Sequence, residues 1–337
     1  MSNVMILGSG GFGTSLAVLL HKHGYHVTLW SAFQSEIDQI RKHGENQKLL
    51  PGIPVDPSIQ LTTDISVVKE ADMIIFAVPS FAVREVARKT KGLIDSNIVL
   101  VNVGKGFEES TQKRLSVVIK EEFPQNPVVV LSGPSHAEEI ARGVPTTVVA
   151  TCEDRKAAEL VQDMLMNATL RVYVNNDMIG VELGGALKNI IAVCAGICDG
   201  MELGDNSKAA LMTRGIAEIS RLGVAMGAKV ETFAGLTGIG DLIVTCTSMH
   251  SRNRRAGIYI GQGMSAQQAI KRVGMTVEGC IACKAAYALA HQYRVDMPIV
   301  TELYQVLYEN KDIQTALNDL MDRPKRHEDE RIWLLSK

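Results

Sequence analysis

One glycine pattern, G-S-G-G-F-G at residues 8–13, constrains the fold of this chain more than any other feature. It follows the short apolar run Val4–Leu7 and precedes an apolar helical pattern. In such a setting Gly8 makes the tight turn after the strand, Gly10 lets the backbone approach a pyrophosphate, and Gly13 lets helix and strand pack closely. The N-terminal amides of the helix would then point at the phosphates. We therefore expect a dinucleotide site here. The alternative is a glycine-rich turn that holds no ligand.

Short apolar runs alternate with helical patterns throughout the first half of the chain. We expect the first helix to begin near Thr14 and to end at Gly24. After the strand at Val4–Leu7, further strands are expected at His26–Trp30, Met73–Val78, Ile98–Val103, Val128–Leu131, Thr146–Thr151 and Leu170–Val174. Nearly continuous apolar strands separated by helices indicate an α/β fold, with a doubly wound, mostly parallel sheet covered on both faces.

The second half of the chain changes character near residue 179. Strand signals become rare, and helical stretches rich in Ala, Leu, Ile and Met dominate. We expect a dinucleotide-binding domain over residues 1–182 and an all-α domain over residues 183–337. The longest apolar stretch, 179–201, includes Glu182, Lys188 and Asp199, which would cost several kcal/mol in a bilayer core. It is therefore expected to be a buried helix of a soluble protein, with no integral membrane segment. The charged segment 322–331 is expected to be solvated.

Composition and charge exclude several other classes of protein. Hydrophobic residues make up 46% and charged residues 21% of 337 residues, which is typical of a globular protein and not of a disordered one. The 35 Lys and Arg residues against 37 Asp and Glu argue against a nucleic-acid binder. The N-terminus has no positive region before its apolar run, so no secretory signal is expected. The six cysteines are expected to be reduced cytosolic thiols.

Two pairs of cysteines invite a comparison with metal sites. Cys280 and Cys283 form C-I-A-C, and Cys194 and Cys198 are spaced one helical turn apart. A structural zinc site needs four ligands with compatible placement. Both pairs lie in apolar helical patterns, so we expect thiols packed in the core and no metal.

The end of the second expected strand bears on the choice of cofactor. NAD-binding units usually place an acid there, which hydrogen-bonds the ribose of the adenosine. This chain reads W-S-A-F at 30–33, with no acid before Glu36 and no arginine before Arg41. A missing acid permits the 2′-phosphate of NADP, whereas a missing arginine leaves a strong NADP preference unexplained. We expect NADPH as the preferred cofactor, with NADH also accepted.

Two glycine-containing segments directly follow expected strands. Lys105 lies in V-G-K-G-F-E, and Gly133 and Ser135 lie in S-G-P-S-H-A-E-E. Ligands of open parallel sheets bind outside the carboxyl ends of the strands, so both segments are expected to face a substrate. The alternatives are a surface lysine in a glycine turn for Lys105 and a helix N-cap for Ser135.

A lysine inside the long apolar helical stretch is a candidate acid/base group. Lys188 lies in G-G-A-L-K-N-I-I-A, where burial would lower its pKa from the ordinary value near 10.4. A lysine that exchanges protons near neutral pH needs such a change. The alternative is a lysine whose side chain extends along apolar surface and brings its ammonium to water.

A third polar cluster follows in G-L-T-G-I-G-D-L-I-V-T and S-R-N-R-R. Asp241 and Thr245 lie among small and apolar residues, and Arg252 and Asn253 follow closely. An arginine beside an asparagine suits recognition of a phosphate, since the guanidinium offers a planar fork of donors. The alternative for R-N-R-R is a solvated basic turn. Nucleic-acid binding is not supported, because no aromatic residues accompany the basic ones.

Taken in order, these motifs resemble those of the bacterial NAD(P)-dependent glycerol-3-phosphate dehydrogenase family, biosynthetic type. The resemblance runs from the glycine pattern to about residue 310. It includes L-P-G-I at 50–53, V-G-K-G at 103–106, S-G-P-S-H-A-E-E at 132–139, E-L-G-G-A-L-K-N at 182–189, G-L-T-G-I-G-D-L at 235–242, S-R-N-R-R at 251–255 and V-E-G at 277–279. It implies an N-terminal Rossmann domain and a helical C-terminal domain.

The resemblance also implies a reaction and a set of site residues. The reaction is hydride transfer between NAD(P)H and dihydroxyacetone phosphate, giving sn-glycerol 3-phosphate. Lys188 matches the general acid/base, and Lys105 and Asp241 match its catalytic partners. Implied substrate contacts come from Lys105, Gly133, Ser135, Lys188, Asn189, Asp241, Thr245, Ser251, Arg252 and Asn253. Implied cofactor contacts come from Gly8, Gly10, Gly11, Phe12, Gly13, Lys105, Ala137, Arg252, Val277 and Glu278.

One departure from the family pattern concerns the cofactor. Many members carry Arg or His where this chain has Ala32, close to the adenosine ribose, which puts a strict NADP preference in doubt. The family further implies a cytoplasmic homodimer that supplies glycerophospholipid biosynthesis. Two other hypotheses remain open at this point. One is a related two-domain dehydrogenase of the 3-hydroxy acid or 6-phosphogluconate type, and the other is a non-catalytic NADPH sensor.

Overall fold

An eight-stranded, mostly parallel sheet forms the N-terminal half of the molecule. The computed structural model describes residues 2–325 and 327–328. The strands are β1 Asn3–Leu7, β2 His26–Trp30, β3 Glu45–Asn46, β4 Leu50–Pro54, β5 Gln60–Thr62, β6 Met73–Phe76, β7 Val99–Asn102, β8 Val128–Ser132, β9 Thr146–Thr151 and β10 Leu170–Asn175. In the sheet they are ordered β10-β9-β8-β7-β6-β1-β2-β5, and every pair is parallel except β8 with β9. This confirms the expected doubly wound fold.

Helices cover both faces of the sheet, as its apolar strands require. They are α1 Gly11–Lys22, α2 Gln34–His43, α3 Val83–Thr90, α4 Leu115–Glu122, α5 Ala137–Ala141 and α6 Arg155–Leu165, with 3₁₀ turns at Ile65–Glu70 and Ser80–Ala82. The strand order reverses between β1 and β6: from β1 the chain continues to β2 on one side of the sheet, and from β6 it continues to β7 on the other side. A crevice at such a switch point, outside the carboxyl ends of the strands, is where open α/β sheets bind ligands.

Three details of the N-terminal half differ from the sequence prediction. The first helix begins at Gly11 rather than near Thr14, so the later glycines of the pattern lie within its first turn. The strands β3 and β4 form a small antiparallel sheet that was not predicted. The short strand β5, at the edge of the large sheet, was not predicted either. In β4 the two prolines of L-P-G-I-P argue against a strand. The strand β3 has only two residues, which is too short to show an alternation of apolar and polar residues.

The described part of the second half is helical, as expected. It consists of α7 Met178–Gly200, α8 Gly204–Ala225, α9 Val230–Phe233, α10 Asp241–Thr247, α11 Arg252–Gly261, α12 Ala266–Val273, α13 Glu278–Tyr293, α14 Pro298–Tyr308 and α15 Ile313–Met321, with a π-helical turn at Leu236–Gly240. The division at residue 182 stays a prediction, and α7 runs across it. Of the charged segment 322–331, residues 326 and 329–331 lie outside the described residues.

Helix α7 forms the centre of the helical half. Among the described helices, only α7 is long and apolar enough to span a membrane, but 89% of its most apolar stretch is buried inside the protein. Glu182 on α7 accepts hydrogen bonds from the Ser116 amide (2.9 Å) and hydroxyl (2.6 Å) of α4, and it pairs with Arg114. These bonds fix the N-terminal turns of α7 against the sheet half. Cys280 and Cys283 are buried thiols of the same helical core, as predicted.

Glycines bring α7 and α11 into direct backbone contact. A Cβ added at Gly196 of α7 would lie 2.0 Å from the carbonyl oxygen of Arg254, and one at Gly257 of α11 would lie 2.0 Å from that of Val193. No side chain fits between two backbones at that separation. The distance between the two helices is therefore fixed by the main chains themselves.

Candidate active site

The predicted polar residues of both halves meet at the carboxyl edge of the sheet. Lys105 follows β7, and Gly133 directly follows β8, as expected. Lys188 projects from α7 towards the same place. Two glycines allow this approach, because a Cβ at Gly184 would lie 2.4 Å from the Thr237 carbonyl oxygen and one at Gly185 would lie 2.7 Å from the Ser132 hydroxyl. The motif G-G-A-L-K-N thus places a buried lysine against the end of the sheet.

A single carboxylate, Asp241, joins the two lysines. Its Oδ2 accepts from Lys105 Nζ at 2.9 Å, and its Oδ1 accepts from Lys188 Nζ. Asp241 is 1% exposed and Lys188 is 5% exposed. Lys188 is therefore buried and does not bring its ammonium to water, and Lys105 is paired and only partly exposed, with 19% of its side chain accessible. Two ammonium groups thus meet one buried carboxylate, an arrangement that is costly unless the groups are paired, as they are here.

The burial and charges of this cluster change its protonation behaviour. Burial, with the charge of Lys105 adding to it, lowers the pKa of Lys188 to about 8 even though Asp241 opposes this change. Burial alone would raise the pKa of Asp241, but Lys105 and Lys188 outweigh that effect and hold it below the ordinary value. Asp241 therefore stays ionised while Lys188 exchanges a proton near neutral pH.

Further hydrogen bonds hold each lysine in place. Lys188 donates to the Thr245 hydroxyl at 2.6 Å, and that hydroxyl donates to the Asp241 carbonyl at 2.6 Å. Lys105 donates to the Gly133 carbonyl at 2.8 Å and to the Ser135 hydroxyl at 3.1 Å. Ser135 is not the N-cap of α5, because His136 occupies that position. The predicted residues of the two sheet-edge segments thus converge on the same cluster.

A chain of amides links Asn189 to the helices behind the cluster. The Asn253 side chain donates to the Asn189 side chain at 2.9 Å, and it accepts from the Gly279 amide at 2.9 Å. Asn189 also donates to the Lys105 carbonyl at 3.4 Å. These bonds connect α7, α11 and α13 and orient the amide groups beside Lys188.

Arg252 and Ser251 begin helix α11. The Ser251 hydroxyl accepts from the Arg254 amide at 3.2 Å and caps the helix, so it has a structural task that the resemblance did not imply. The side chain of Arg252, the first residue of the helix, is exposed and makes no hydrogen bond to any described residue. Arg254, by contrast, pairs with Asp199. Of these two arginines, Arg252 is the one whose donors stay available for an anion.

The glycine turn at the sheet switch point has the shape that a dinucleotide needs. A Cβ at Gly8 would lie 2.6 Å from the Ala77 carbonyl oxygen, and one at Gly13 would lie 2.0 Å from the Gly8 carbonyl oxygen, so both positions require glycine. Gly10, in contrast, has no atom within 4 Å of its Cβ position, which leaves open space against the backbone. That space lies beside the N-terminus of α1, where helix amides and dipole favour a phosphate. The turn therefore fits the pyrophosphate of a dinucleotide.

The remaining cofactor candidates come from both halves of the molecule. Phe12 is partly buried, and a Cβ at Gly11 would lie 3.8 Å from that of Ala137. Val277 is the N-cap of α13, and Glu278 accepts from the Ser80 amide at 3.1 Å and hydroxyl at 2.7 Å. Glu278 thus joins the helical half to the loop after β6.

Sequence reasoning missed two residues of this region. Ser80, which binds Glu278, gave no signal beyond its place after an expected strand. His136 is buried enough that its Nε2 reaches no water, and that atom has no hydrogen-bond partner among the described residues. Burial and the charge of Lys188 lower the pKa of His136. The sequence S-G-P-S-H-A contained His136, but only the fold places it near the lysines.

Comparisons with known proteins agree with this geometry. The family described as NAD-dependent glycerol-3-phosphate dehydrogenase matches with its N-terminal part at residues 3–158 and with its C-terminal part at residues 177–318. A glycerol-3-phosphate dehydrogenase (NAD(P)+) of Desulfitobacterium hafniense strain Y51 is 52% identical, covering 100% of this chain and 96% of the relative. The protein of that name from Moorella thermoacetica is 54% identical, covering 97% of each. A crystal structure of glycerol-3-phosphate dehydrogenase from Coxiella burnetii superimposes with a TM-score of 0.92 at 37% identity, over 96% of this chain and 99% of that one.

Proposed function

We propose how this site performs the reaction of the NAD-dependent glycerol-3-phosphate dehydrogenase family, to which the chain belongs. The chain is an NAD(P)-dependent oxidoreductase that interconverts dihydroxyacetone phosphate and sn-glycerol 3-phosphate. A bound nicotinamide supplies the hydride for ketone reduction and accepts it in the reverse direction. The glycine turn, with Gly11, Phe12, Ala137, Val277 and Glu278 around it, would hold the dinucleotide. Lys105, from the polar cluster, and Arg252, from the start of α11, would also contact it.

Lys188 is the general acid for ketone reduction and the general base for alcohol oxidation. Hydride addition to a ketone builds negative charge on the oxygen, and a nearby cationic acid stabilises that charge and then protonates it. The observation that carries this proposal is the burial of Lys188 against Asp241, with a pKa lowered to about 8. Asp241 orients the ammonium and keeps enough of it protonated. Lys105, held by Gly133 and Ser135, contacts the substrate on the opposite side of the carboxylate.

The phosphate end of the substrate is held by the start of α11. Arg252 offers a planar set of donors that no described residue occupies, and the buried amides of Asn189 and Asn253 supply further polar groups nearby. Binding at this remote end orients the carbonyl towards Lys188. Thr245 and Ser251 act by positioning Lys188 and α11, respectively.

The pH dependence of the two directions should be opposite. Reduction needs protonated Lys188, so kcat/KM for dihydroxyacetone phosphate is expected to fall as the pH rises through about 8. Oxidation needs the neutral amine, so kcat/KM for glycerol 3-phosphate should rise through the same pH. Initial rates in both directions between pH 6 and about 10 check this. Parallel profiles in the two directions would contradict the role of Lys188.

Replacing Arg252 with alanine is expected to raise the KM for dihydroxyacetone phosphate by about 100-fold, because a charge-assisted hydrogen-bond pair to the phosphate is lost. kcat should change much less than KM. Steady-state kinetics measures both constants, and Arg155→Ala is a matched control. Arg155 is exposed and paired only with Glu159 on its own helix. An unchanged KM in the Arg252 variant would remove this arginine from the phosphate site.

The activity itself is tested by mixing purified protein with dihydroxyacetone phosphate and following absorbance of NADH and NADPH in parallel. We expect oxidation of the reduced cofactor that depends on this substrate. A panel with 3-hydroxy acids and 6-phosphogluconate tests the rival dehydrogenases. Binding of a cofactor without any turnover would favour the sensor.

We also propose the cellular setting. The chain acts in the cytoplasm as a homodimer and supplies sn-glycerol 3-phosphate to glycerophospholipid biosynthesis. The six cysteines support the location, since all of them are free thiols and four are buried. Sedimentation of the purified protein tests the dimer, and a deletion strain whose growth depends on added glycerol 3-phosphate tests the pathway.

A further inference from the structure

A carboxylate that belongs to no ion pair lies beside the glycine turn. Glu36, in the first turn of α2, accepts a hydrogen bond from the Ser9 hydroxyl and another from the Ser31 hydroxyl, each at 2.5 Å and both on Oε2. Ser9 is 3% exposed and Ser31 is 2% exposed, whereas Glu36 is half-buried. In the described part of the chain, no lysine or arginine pairs with Glu36, and its Oε1 accepts no hydrogen bond.

The two serines place this carboxylate at a defined point of the crevice. Ser9 lies between the first two glycines of G-S-G, and Ser31 directly follows β2. The carboxyl end of β2 beside the glycine turn is where a doubly wound dinucleotide domain meets the ribose of the adenosine. An acid at this point usually comes from the strand end itself. Here it comes from the next helix and is held at the strand end by two short hydrogen bonds.

We propose that Glu36 determines the cofactor preference of this chain, accepting a hydrogen bond from the ribose 2′-hydroxyl of NAD(H) and repelling the 2′-phosphate of NADP(H). The inference rests on the proposed dehydrogenase function and deepens it. Oε1 has the vacant lone pairs that a hydroxyl donor needs, while Oε2 is already occupied by the serines. A phosphate at the same place would bring two negative groups together with no cation between them.

The residues around Glu36 offer the 2′-phosphate no compensation. The segment from Ser31 to Glu36 contains no cation, and Ala32 stands at its solvent side. Arg41, the first arginine along the chain, is tied to Asp38 and to the Leu61 carbonyl oxygen. The expectation of NADPH as the preferred cofactor depended on the absence of an acid from the end of β2. The fold supplies that acid, so the preference that we propose is the opposite one.

Direct binding separates this inference from the activity. Dissociation constants of NADH and NADPH would be measured by calorimetry on the full chain without substrate. For the unchanged protein, we expect NADH to bind roughly 10- to 100-fold more tightly than NADPH. In Glu36→Gln the NADPH affinity should rise by about tenfold or more, and the ratio of the two constants should approach one. AMP against adenosine 2′,5′-bisphosphate repeats the comparison with ligands that differ only in the 2′-phosphate.

A matched control removes one carboxylate charge elsewhere on the sheet half. Asp163→Asn, at an exposed position of α6, leaves the serine contacts of Glu36 and the Arg41–Asp38 pair intact, so its ratio of NADH to NADPH affinity should equal that of the unchanged protein. Glu36→Ala provides a second test if the glutamine variant folds poorly. Equal affinities, or tighter NADPH binding, in the unchanged protein would overturn the inference, as would an unaltered ratio in the Glu36 variants. Failure to bind either dinucleotide would instead overturn the proposed function.

Discussion

Replacing Lys188 with alanine is expected to lower kcat for reduction of dihydroxyacetone phosphate by about 10³- to 10⁴-fold. The variant loses both the cation that stabilises the developing alkoxide and the proton that completes the reaction. The remaining groups, Lys105 among them, still bind substrate, so the KM should change far less. Cofactor affinity should remain normal, because the glycine turn lies in the other half of the molecule.

Two further variants separate chemistry from packing in this experiment. Lys188→Met keeps the buried volume of the side chain and should lose as much activity as the alanine variant, whereas a cavity effect would spare it. Lys284→Met, at an exposed lysine paired with Glu109, should behave as the unchanged protein. Near-normal turnover in either Lys188 variant would exclude this lysine as the acid/base group.

Replacing Asp241 with asparagine is expected to lower kcat for the reduction at pH 7.5 by about 10²- to 10³-fold. The change leaves Lys105 and Lys188 facing each other without the carboxylate that joins them. Both burial and the second lysine then lower the pKa of Lys188 further, so the ammonium form becomes scarce at this pH. The proton donor is lost although the lysine remains.

The pH profile distinguishes this mechanism from simple damage to the fold. Rates of the Asp241→Asn variant should recover partly as the pH is lowered, and the fall in kcat/KM should move to a lower pH than in the unchanged protein. Calorimetric melting shows whether the variant is folded under the same conditions. A uniformly low rate at every pH, in a folded variant, would mean that Asp241 does not act through the protonation of Lys188.

The sheet could be predicted because its strands are short apolar runs that end at Gly, Pro or Asn. The burial of Lys188 could be expected from its neighbours, but not its partner, since Asp241 lies 53 residues further along the chain. The first helix was predicted to begin near Thr14, whereas it begins at Gly11. Glycines have a low helix propensity and favour the prediction of a turn, even where they form the first turn of a helix.

The position of Glu36, on which its proposed role rests, could not be predicted for a related reason. An acid is sought at the end of the second strand, and a search along the chain ends at Ala32 and Phe33 without finding one. The start of α2 returns the chain to the strand end, and the hydroxyl of Ser31 holds the carboxylate there. Local sequence order therefore led to the expectation of NADPH, whereas the contacts of Glu36 in the fold support our proposal of NADH.

The backbone contact between α7 and α11 has a consequence for the length of substrate that can bind. Lys188 projects from one of these helices and Arg252 begins the other, so the contact fixes the separation of the helices that carry the proposed proton donor and the proposed phosphate anchor. Helices that touch through side chains can make room for a longer molecule when those side chains change rotamers. Helices that touch through their main chains cannot adjust in this way. If these two residues act as proposed, we expect the site to discriminate among ketose phosphates by the length of their carbon chain. That selectivity would depend on the close approach of the helices at Gly196, Gly200, Gly257 and Gly261.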